Sequence, residues 1–282
     1  MGAILVALAV GMLLLDHRLA PWFPFLFATL EALGLLCCLE MLALLPPARR
    51  PATWLAVVAV ALVLVANWPA HLFPAERQSL GPWPWLVGTF TAVVLAAFLI
   101  EMAGYREPGE SVTRLALVVF ITAYLGLLPA FLAQLRWLHS DSEWAGGFAV
   151  AMTVFVPKGC DIGAYLTGRL VGRSRMTPLL SPKKTWEGFV GGMAGAVLVA
   201  FALNYLGPVR VLSEAPWPVL GFGLTVGLAG VLGDLAESLI KRDSRQKDAS
   251  QTVPGFGGVL DVVDSILFAA PVAYCWFAFS RG

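Results

Sequence analysis

The chain has 282 residues, of which 59% are hydrophobic and only 13% are charged, and its formal net charge at pH 7 is +1. A soluble protein has about a quarter of its residues charged, so this composition excludes an ordinary water-soluble domain. The small net charge gives no field that would attract nucleic acid.

The N-terminus begins MGAILVALAVGMLLL, with no Lys or Arg before the apolar run. The basic region of a cleaved signal peptide is missing, so this stretch predicts a retained first span. A helix needs about 20 apolar residues to cross a bilayer core. By this criterion we predict spans, in chain order, at 2–15, 22–45, 53–73, 83–103, 114–137, 146–168, 186–206, 217–240 and 260–279.

These spans predict an all-α, polytopic integral membrane protein with about nine transmembrane helices. The first span is short and its end near Asp16 is ambiguous, so eight helices is the alternative. We predict a single membrane domain over 1–282. Within it, 1–145 holds N-terminal transmembrane helices, and 146–282 holds catalytic helices and cytoplasmic loops.

The basic residues indicate the orientation of the spans, because short cytoplasmic loops collect Lys and Arg. With the N-terminus inside, thirteen of the nineteen basic residues are cytoplasmic, five are outside and Lys158 lies within a span. The asymmetry comes mainly from two cytoplasmic loops, 169–185 and 241–258, which are dense in charge and glycine. We therefore predict a multi-pass protein of the cell (inner) membrane with an active site facing the cytoplasm.

The first loop follows a span in which Asp161, Tyr165 and Gly168 share one helical face. A basic loop can serve topology and attraction to lipid headgroups alone. Basic groups can also hold phosphates, and an acidic cluster on the same side of the membrane favours that interpretation. The basic, hydroxyl and acidic side chains gathered here are Arg169, Arg173, Arg175, Ser181, Lys183, Lys184, Thr185 and Glu187.

The second loop follows the segment GDLAESLIKR, in which Asp234, Glu237, Ser238 and Lys241 share one helical face. Ionisable groups at membrane depth are costly and usually line a cavity or a pathway. A polar stripe that faces neighbouring helices is the alternative, but the cost of burial favours a functional site.

Two further carboxylates, Asp261 and Asp264, lie on one face at the start of the last span, after the turn PGFGG. The exposed amides of a helix start favour anions, so both carboxylates can stay ionised. Such a pair suits Mg²⁺, which takes one or two carboxylates and completes its shell with phosphate and water. Helix capping by Asp261 is the alternative, but it does not explain Asp264.

Other standard catalytic motifs are absent from the sequence: it contains no Walker loop, no HExxH and no GxSxG elbow. The three histidines, His17, His71 and His139, fall outside both loops, so histidine acid-base catalysis is not expected. The four cysteines lie in apolar stretches without Cys-x-x-Cys spacing, which argues against a zinc site or a disulfide framework.

Two long blocks resemble the phosphatidate cytidylyltransferase family. SLIKRDSRQKDASQTVPGFGGVLDVVDS is similar to the family's C-terminal signature, S-x-x-K-R-x4-K-D…P-G-H-G-G-x-x-D-R-x-D-S. DIGAYLTGRLVGRSRMTPLLSPKKTWEG is similar to its upstream block, and the two blocks cover about 157–268 in the family's order. Two positions depart from the pattern, since Phe256 replaces the usual His and Val262 replaces the usual Arg.

The resemblance implies that a phosphatidate oxygen attacks the α-phosphorus of CTP, which gives CDP-diacylglycerol for phospholipid biosynthesis and releases pyrophosphate. The implied partners are CTP, phosphatidate and membrane lipids, without nucleic acid and with a homodimer left open. The implied cofactor is Mg²⁺, with a second metal ion left open. Position by position, the resemblance implies that the catalytic residues are Asp234, Lys241, Asp261 and Asp264. It implies that the metal ligands are Asp161, Asp234, Asp248, Asp261 and Asp264. The residues that it implies for substrate binding are Arg169, Ser181, Lys183, Lys184, Thr185, Ser238, Arg242 and Lys247.

Alternative functions remain open. Another CTP-using lipid enzyme, either a lipid kinase or a cytidylyltransferase for an unusual lipid, would use the same kinds of residue. A transporter is less favoured, because its sites usually lie near the bilayer midplane on broken helices. The charged residues here cluster at the cytoplasmic ends of the predicted spans instead.

Overall fold

The computed structural model describes residues 2–73, 81–106, 108–138, 142, 144–207, 209–246, 249–250 and 257–279, with side chains from residue 10 onward. Nearly all regular structure in these ranges is helical, because a bilayer core has no water to satisfy backbone N–H and C=O groups. The helices are α1 Gly2–His17, α2 Pro24–Leu44, α3 Thr53–Val65, α4 Pro69–Leu72, α5 Trp83–Gly104, α6 Ser111–Thr122, a π-helical turn Ala123–Leu127, α7 Leu128–Leu135, α8 Ala145–Val171, α9 Trp186–Leu206, α10 Pro216–Asp243 and α11 Val259–Phe279.

The prediction of an all-α, polytopic membrane protein is confirmed by these helices. Within the described ranges, eight helical segments are long and apolar enough to cross a membrane, and they match the second to ninth predicted spans. The first predicted span is helix α1, which has only 16 residues. The count of nine is therefore approximate. The eight segments are Pro24–Leu44, Thr53–Leu72, Trp83–Gly104, Ser111–Leu135, Ala145–Val171, Trp186–Leu206, Pro216–Asp243 and Val259–Phe279.

The chain divides into two compact units. Unit 1 comprises Met1–Trp137 and Ala249–Leu260, and unit 2 comprises Leu138–Asp248 and Asp261–Gly282. The candidate functional residues of both sequence blocks lie mostly in unit 2. The sequence-based division into 1–145 and 146–282 within one membrane domain stays a prediction.

In unit 1, the carboxylate of Glu40 on α2 caps the start of α11. It accepts hydrogen bonds from the backbone N–H groups of Val259 (3.0 Å) and Leu260 (2.9 Å) and from the hydroxyl of Ser250 (2.6 Å). The first amides of a helix have no partner within the helix, so a buried helix start needs such an acceptor. A Cβ atom at Gly258 would lie 2.6 Å from a Glu40 carboxylate oxygen, so a larger residue there would displace the capping carboxylate.

In unit 2, helices α8 and α9 pack closely through glycines. A Cβ atom at Gly163 would lie 2.5 Å from the carbonyl oxygen of Gly191, and one at Gly195 would lie 2.5 Å from that of Gly159. Glycines four residues apart on both helices allow this approach of two backbones in a membrane.

A short hairpin, β1 Arg175–Thr177 and β2 Ser181–Thr185, connects α8 to α9. The strands are antiparallel, with Arg175 opposite Thr185 and Thr177 opposite Ser181. The sequence predicted this segment only as a loop. The hairpin holds its lysines beside the adjoining ends of α8 and α9.

Helix α10 provides a glycine face on which α8 and α11 both pack. A Cβ atom at Gly230 would lie 2.7 Å from the Cβ of Pro157 in α8. A Cβ atom at Gly233 would overlap the carbonyl oxygen of Asp264 in α11. Both neighbours therefore approach α10 within one turn of Asp234.

Candidate active site

An acidic trio, formed by Asp234, Glu237 and Asp264, lies where α10 meets α11. One carboxylate oxygen from each residue can be chosen so that all three lie within 4.8 Å of one another. Glu237 is fully buried and Asp264 is 6% exposed. The trio forms because Asp234 and Glu237 are one turn apart on α10, while Gly233 allows the backbone of Asp264 to approach.

Ammonium groups from two elements pair with these acids. Lys184, from strand β2, lies 2.7 Å from Asp234. Lys241, one turn beyond Glu237 on α10, lies 2.5 Å from both Glu237 and Asp261. Carboxylates that are removed from water need such partners, because an unpaired buried charge is strongly destabilising.

A cavity of about 420 Å³ opens beside Asp234 in unit 2. Its volume falls in the range of about 300–1,000 Å³ that is typical of small-molecule sites. Acidic, basic and aromatic side chains share its wall. The lining residues are Asp161, Ala164, Tyr165, Gly168, Arg169, Met176, Lys183, Lys184, Thr185, Gly188, Phe189, Val231 and Asp234.

Several side chains of the upstream block stabilise the hairpin and the start of α9. The hydroxyl of Thr185 accepts a hydrogen bond from the backbone N–H of Gly188 (3.1 Å) and so caps α9. The carboxylate of Glu187 accepts hydrogen bonds from the backbone N–H groups of Arg173 (3.0 Å) and Ser174 (3.1 Å). Thr185 therefore has a structural role in addition to its place in the cavity wall.

The structure gathers most of the residues that the sequence predicted for the site. Arg169, Lys183, Lys184, Thr185 and Asp161 line the cavity. The side chains of two other predicted residues contact protein groups: Ser238 donates to Asp234 (3.5 Å) and Arg242 donates to the carbonyl of Leu180 (3.3 Å).

The described part of the structure does not bring the other three predicted residues into the site. Ser181 lies in strand β2 and is not part of the cavity lining. Lys247 and Asp248 lie outside the described residues, as does Phe256. Their predicted roles in binding substrate or metal stay predictions.

Sequence reasoning missed Lys158, which the structure places in the site. Its ammonium group lies 2.8 Å from the hydroxyl of Ser265, 3.3 Å from Asp161 and 3.9 Å from Asp264. The sequence did contain an indication of this place, because Lys158 lies within an apolar span and ionisable residues in such spans usually mark functional sites. Glu237 was placed on the polar face but was not predicted as a metal ligand.

The acidic trio fits a divalent cation. Its donors are all carboxylate oxygens, which are the ligands that hard cations such as Mg²⁺ prefer. The donors are buried or half-buried and converge within the span of one coordination shell. Asp161 and Asp261 are not part of this trio, and they pair with Lys158 and Lys241 respectively.

Fold and site together define a polytopic membrane protein with a polar site that suits a metal ion and phosphate groups. The chain belongs to the cytidylyltransferase family, whose model matches residues 1–280. The resemblance seen in the two sequence blocks is confirmed by this match.

Individual relatives agree with the family assignment. The chain is 33% identical over 167 residues to a phosphatidate cytidylyltransferase of Chlamydia pneumoniae and 34% identical over 187 residues to one of Haemophilus influenzae. It is 28% identical over 253 residues to one of Mycobacterium bovis. These matches cover 58%, 64% and 79% of this chain, and 54%, 64% and 80% of the relatives. The chain thus spans about half to two thirds of the length of the first two relatives.

Proposed function

We propose that this chain is a phosphatidate cytidylyltransferase, which transfers the cytidylyl group of CTP to phosphatidate and releases pyrophosphate. The observation that carries the proposal is the 2.7 Å ion pair between Lys184 and Asp234, because it joins the basic hairpin to the acidic trio. Phosphate-binding and metal-binding groups therefore share one site. Membership of the cytidylyltransferase family and the names of the relatives support the same reaction.

The cavity beside Asp234 would receive the nucleotide. Lys183, Lys184 and Arg169 line it, and such cationic groups neutralise and orient phosphate oxygens. Tyr165 and Phe189 contribute aromatic faces to the same wall, against which a cytosine base can stack. On nucleotide binding, Lys184 would exchange part of its contact with Asp234 for contact with phosphate.

The acidic trio would hold Mg²⁺ through Asp234, Glu237 and Asp264. When bound, such an ion neutralises negative charge on the phosphates and on the leaving pyrophosphate. Asp161, Asp248 and Asp261 stay predictions as further ligands.

The reaction needs no proton transfer from a protein side chain. The second pKa of a phosphate monoester is about 6, so phosphatidate is largely dianionic near neutral pH. Its oxygen forms a bond to the α-phosphorus of CTP while the bond between that phosphorus and the bridging oxygen of the β-phosphate breaks. Lysine and arginine groups can stabilise the pyrophosphate that leaves, so no acid is obligatory.

We infer further that the site faces the cytoplasm, with the protein in the cell inner membrane. The support is the excess of basic residues on one predicted side of the membrane, since Lys and Arg collect in cytoplasmic loops. A homodimer stays a prediction.

The test uses CTP that carries a label at either the α- or the γ-phosphate. Purified protein in phosphatidylcholine nanodiscs would receive Mg²⁺, labelled CTP and phosphatidate, diacylglycerol or another lipid phosphate. We expect label in the lipid fraction only with α-labelled CTP and phosphatidate, together with one pyrophosphate for each labelled lipid.

Other results would contradict the proposal in recognisable ways. Transfer of the γ-label to diacylglycerol would show a lipid kinase, and α-label transferred only to another lipid phosphate would show a different acceptor. Absence of any lipid-bound label, with a folded protein that binds Mn²⁺, would overturn nucleotidyl transfer altogether.

A further inference from the structure

Lys158 lies at the centre of a set of contacts that crosses two helices. It belongs to the 27-residue helix α8, and its ammonium group reaches Asp161 on the same helix. It also reaches Asp264 and Ser265 on α11. One positive charge therefore connects a cavity-lining carboxylate with a carboxylate of the acidic trio.

The packing of α10 explains why Lys158 reaches this place. Gly230 allows Pro157, the residue before Lys158, to approach α10. Gly233, one turn further on, allows Asp264 to approach the same helix. Lys158 and Asp264 are thereby held next to each other by close packing that larger residues at Gly230 and Gly233 would prevent.

A lysine in a membrane span usually snorkels toward the lipid headgroups. The Lys158 side chain is instead 31% exposed and has two carboxylates and a hydroxyl around its ammonium group. Three oxygen-bearing groups around a single positive charge also resemble the surroundings of a bound cation.

The formal charges of the ion-paired network around Lys158, Lys184 and Lys241 leave room for one divalent ion. Among the described residues, ion pairs join five carboxylates to three ammonium groups, which leaves a formal charge of −2. One divalent cation would neutralise this ion-paired network, whereas two would leave the network positive before any phosphate enters. The carboxylates are Asp161, Asp234, Glu237, Asp261 and Asp264, and the ammonium groups belong to Lys158, Lys184 and Lys241.

We propose that the Lys158 ammonium group is a fixed second cation of the site, so that the protein binds a single dissociable divalent ion. The inference deepens the proposed function and rests on it. Lys158 is a positioning residue, because it holds Asp264 in the acidic trio and occupies the space between Asp161 and Asp264. Lys158 provides this positive charge from α8. On α11, Val262 stands where the family signature has a positively charged arginine.

The proposal predicts how many ions the protein binds. Full-length protein in phosphatidylcholine nanodiscs would be titrated with Mn²⁺ alone, and the free ion would be counted by electron paramagnetic resonance. We expect one Mn²⁺ per chain in the unmodified protein. Lys158→Met keeps a long, unbranched side chain but removes the charge, so we expect two Mn²⁺ per chain. Lys158→Arg should restore a count of one.

A matched control is Lys183→Met, which removes a cavity-lining lysine that has no ion pair among the described carboxylates, and should keep the count at one. Two ions per chain in the unmodified protein would overturn the proposal, and this result does not require any variant to fold. A count that stays at one in folded Lys158→Met would overturn it as well, since Lys158 would then only stabilise the fold. Failure of label transfer from α-labelled CTP with the expected ion counts would instead refute the proposed function.

Discussion

Asp264 and Asp261 are close in sequence, but the structure gives them different partners. Asp264 completes the acidic trio, whereas Asp261 pairs with Lys241 at 2.5 Å. We predict that Asp264→Asn and Asp261→Asn each abolish turnover at saturating Mg²⁺, because asparagine keeps the shape of the side chain but removes its charge. Turnover would be measured by α-label transfer on protein of confirmed fold.

Asp243 provides a control for these two variants, because it is an exposed carboxylate at the end of α10. Asp243→Asn should keep the unmodified rate. Near-normal turnover in either Asp264→Asn or Asp261→Asn would show that the carboxylate concerned has a structural role only.

Phe256 stands where the family signature has histidine, and it lies outside the described residues. We predict that Phe256→Ala retains more than about a hundredth of the rate of the unmodified protein. The rate would then fall by no more than the factor that a general acid or base typically contributes. The physical reason is that the phosphate nucleophile is already ionised near pH 7. If Phe256→His converted a wholly inactive protein into an active one, the inference that this site needs no histidine would be wrong.

Among the elements, α10 and α11 meet at Gly233. We predict that Gly233→Ala lowers the free energy of unfolding by about 1–3 kcal/mol, because the added methyl would overlap the carbonyl of Asp264 and the helices would have to separate. The same separation should weaken Mn²⁺ binding by the acidic trio. Thermal unfolding and Mn²⁺ titration in nanodiscs would measure the two effects.

The control for Gly233→Ala is Gly88→Ala on α5, where an added Cβ atom would meet no atom within 4 Å. Both variants add one methyl to a glycine in an apolar helix. Only Gly233→Ala should lose stability and affinity for Mn²⁺. Equal behaviour of the two variants would mean that close approach at Gly233 does not assemble the trio.

The start of α11 depends on a carboxylate from a distant part of the chain. We predict that Glu40→Ala costs about 1–3 kcal/mol, because it leaves the backbone N–H groups of Val259 and Leu260 buried without their acceptor. Hydrogen exchange at these two amides should accelerate more than exchange at the middle of α11. Glu110→Ala is the control, since Glu110 forms a 3.6 Å surface ion pair with Arg49, and such exposed pairs contribute little to stability.

At the scale of the whole molecule, the basic asymmetry predicts which ends of the helices face the cytoplasm. Cysteines introduced at Ser174 and Ser244, in a chain without its four natural cysteines, should react with an impermeant thiol reagent only after the cytoplasmic side is opened. A cysteine placed at Ser213, between α9 and α10, should react in intact cells. Labelling at Ser174 from outside intact cells would reverse the predicted orientation.

The sequence by itself determined the membrane class, the approximate spans and the two blocks that hold the candidate site residues. These properties depend on local features, since apolar run length and helical periodicity can be read from neighbouring residues. The face shared by Asp234 and Glu237 was predictable for the same reason. The sequence also indicated that basic and acidic residues would meet, but not which lysine would pair with which carboxylate.

Only the tertiary structure decided those pairings. Lys158 and Ser265 are 107 positions apart, and Glu40 and Val259 are 219 positions apart, so no local pattern connects them. Their contacts depend on which helix faces touch, and close approach of α10 to its neighbours is possible only where glycine leaves space, as at Gly233. A lysine within an apolar helix is ambiguous in the sequence. Its place beside the acidic trio is decided only when packing brings Asp264 and Ser265 of another helix against it.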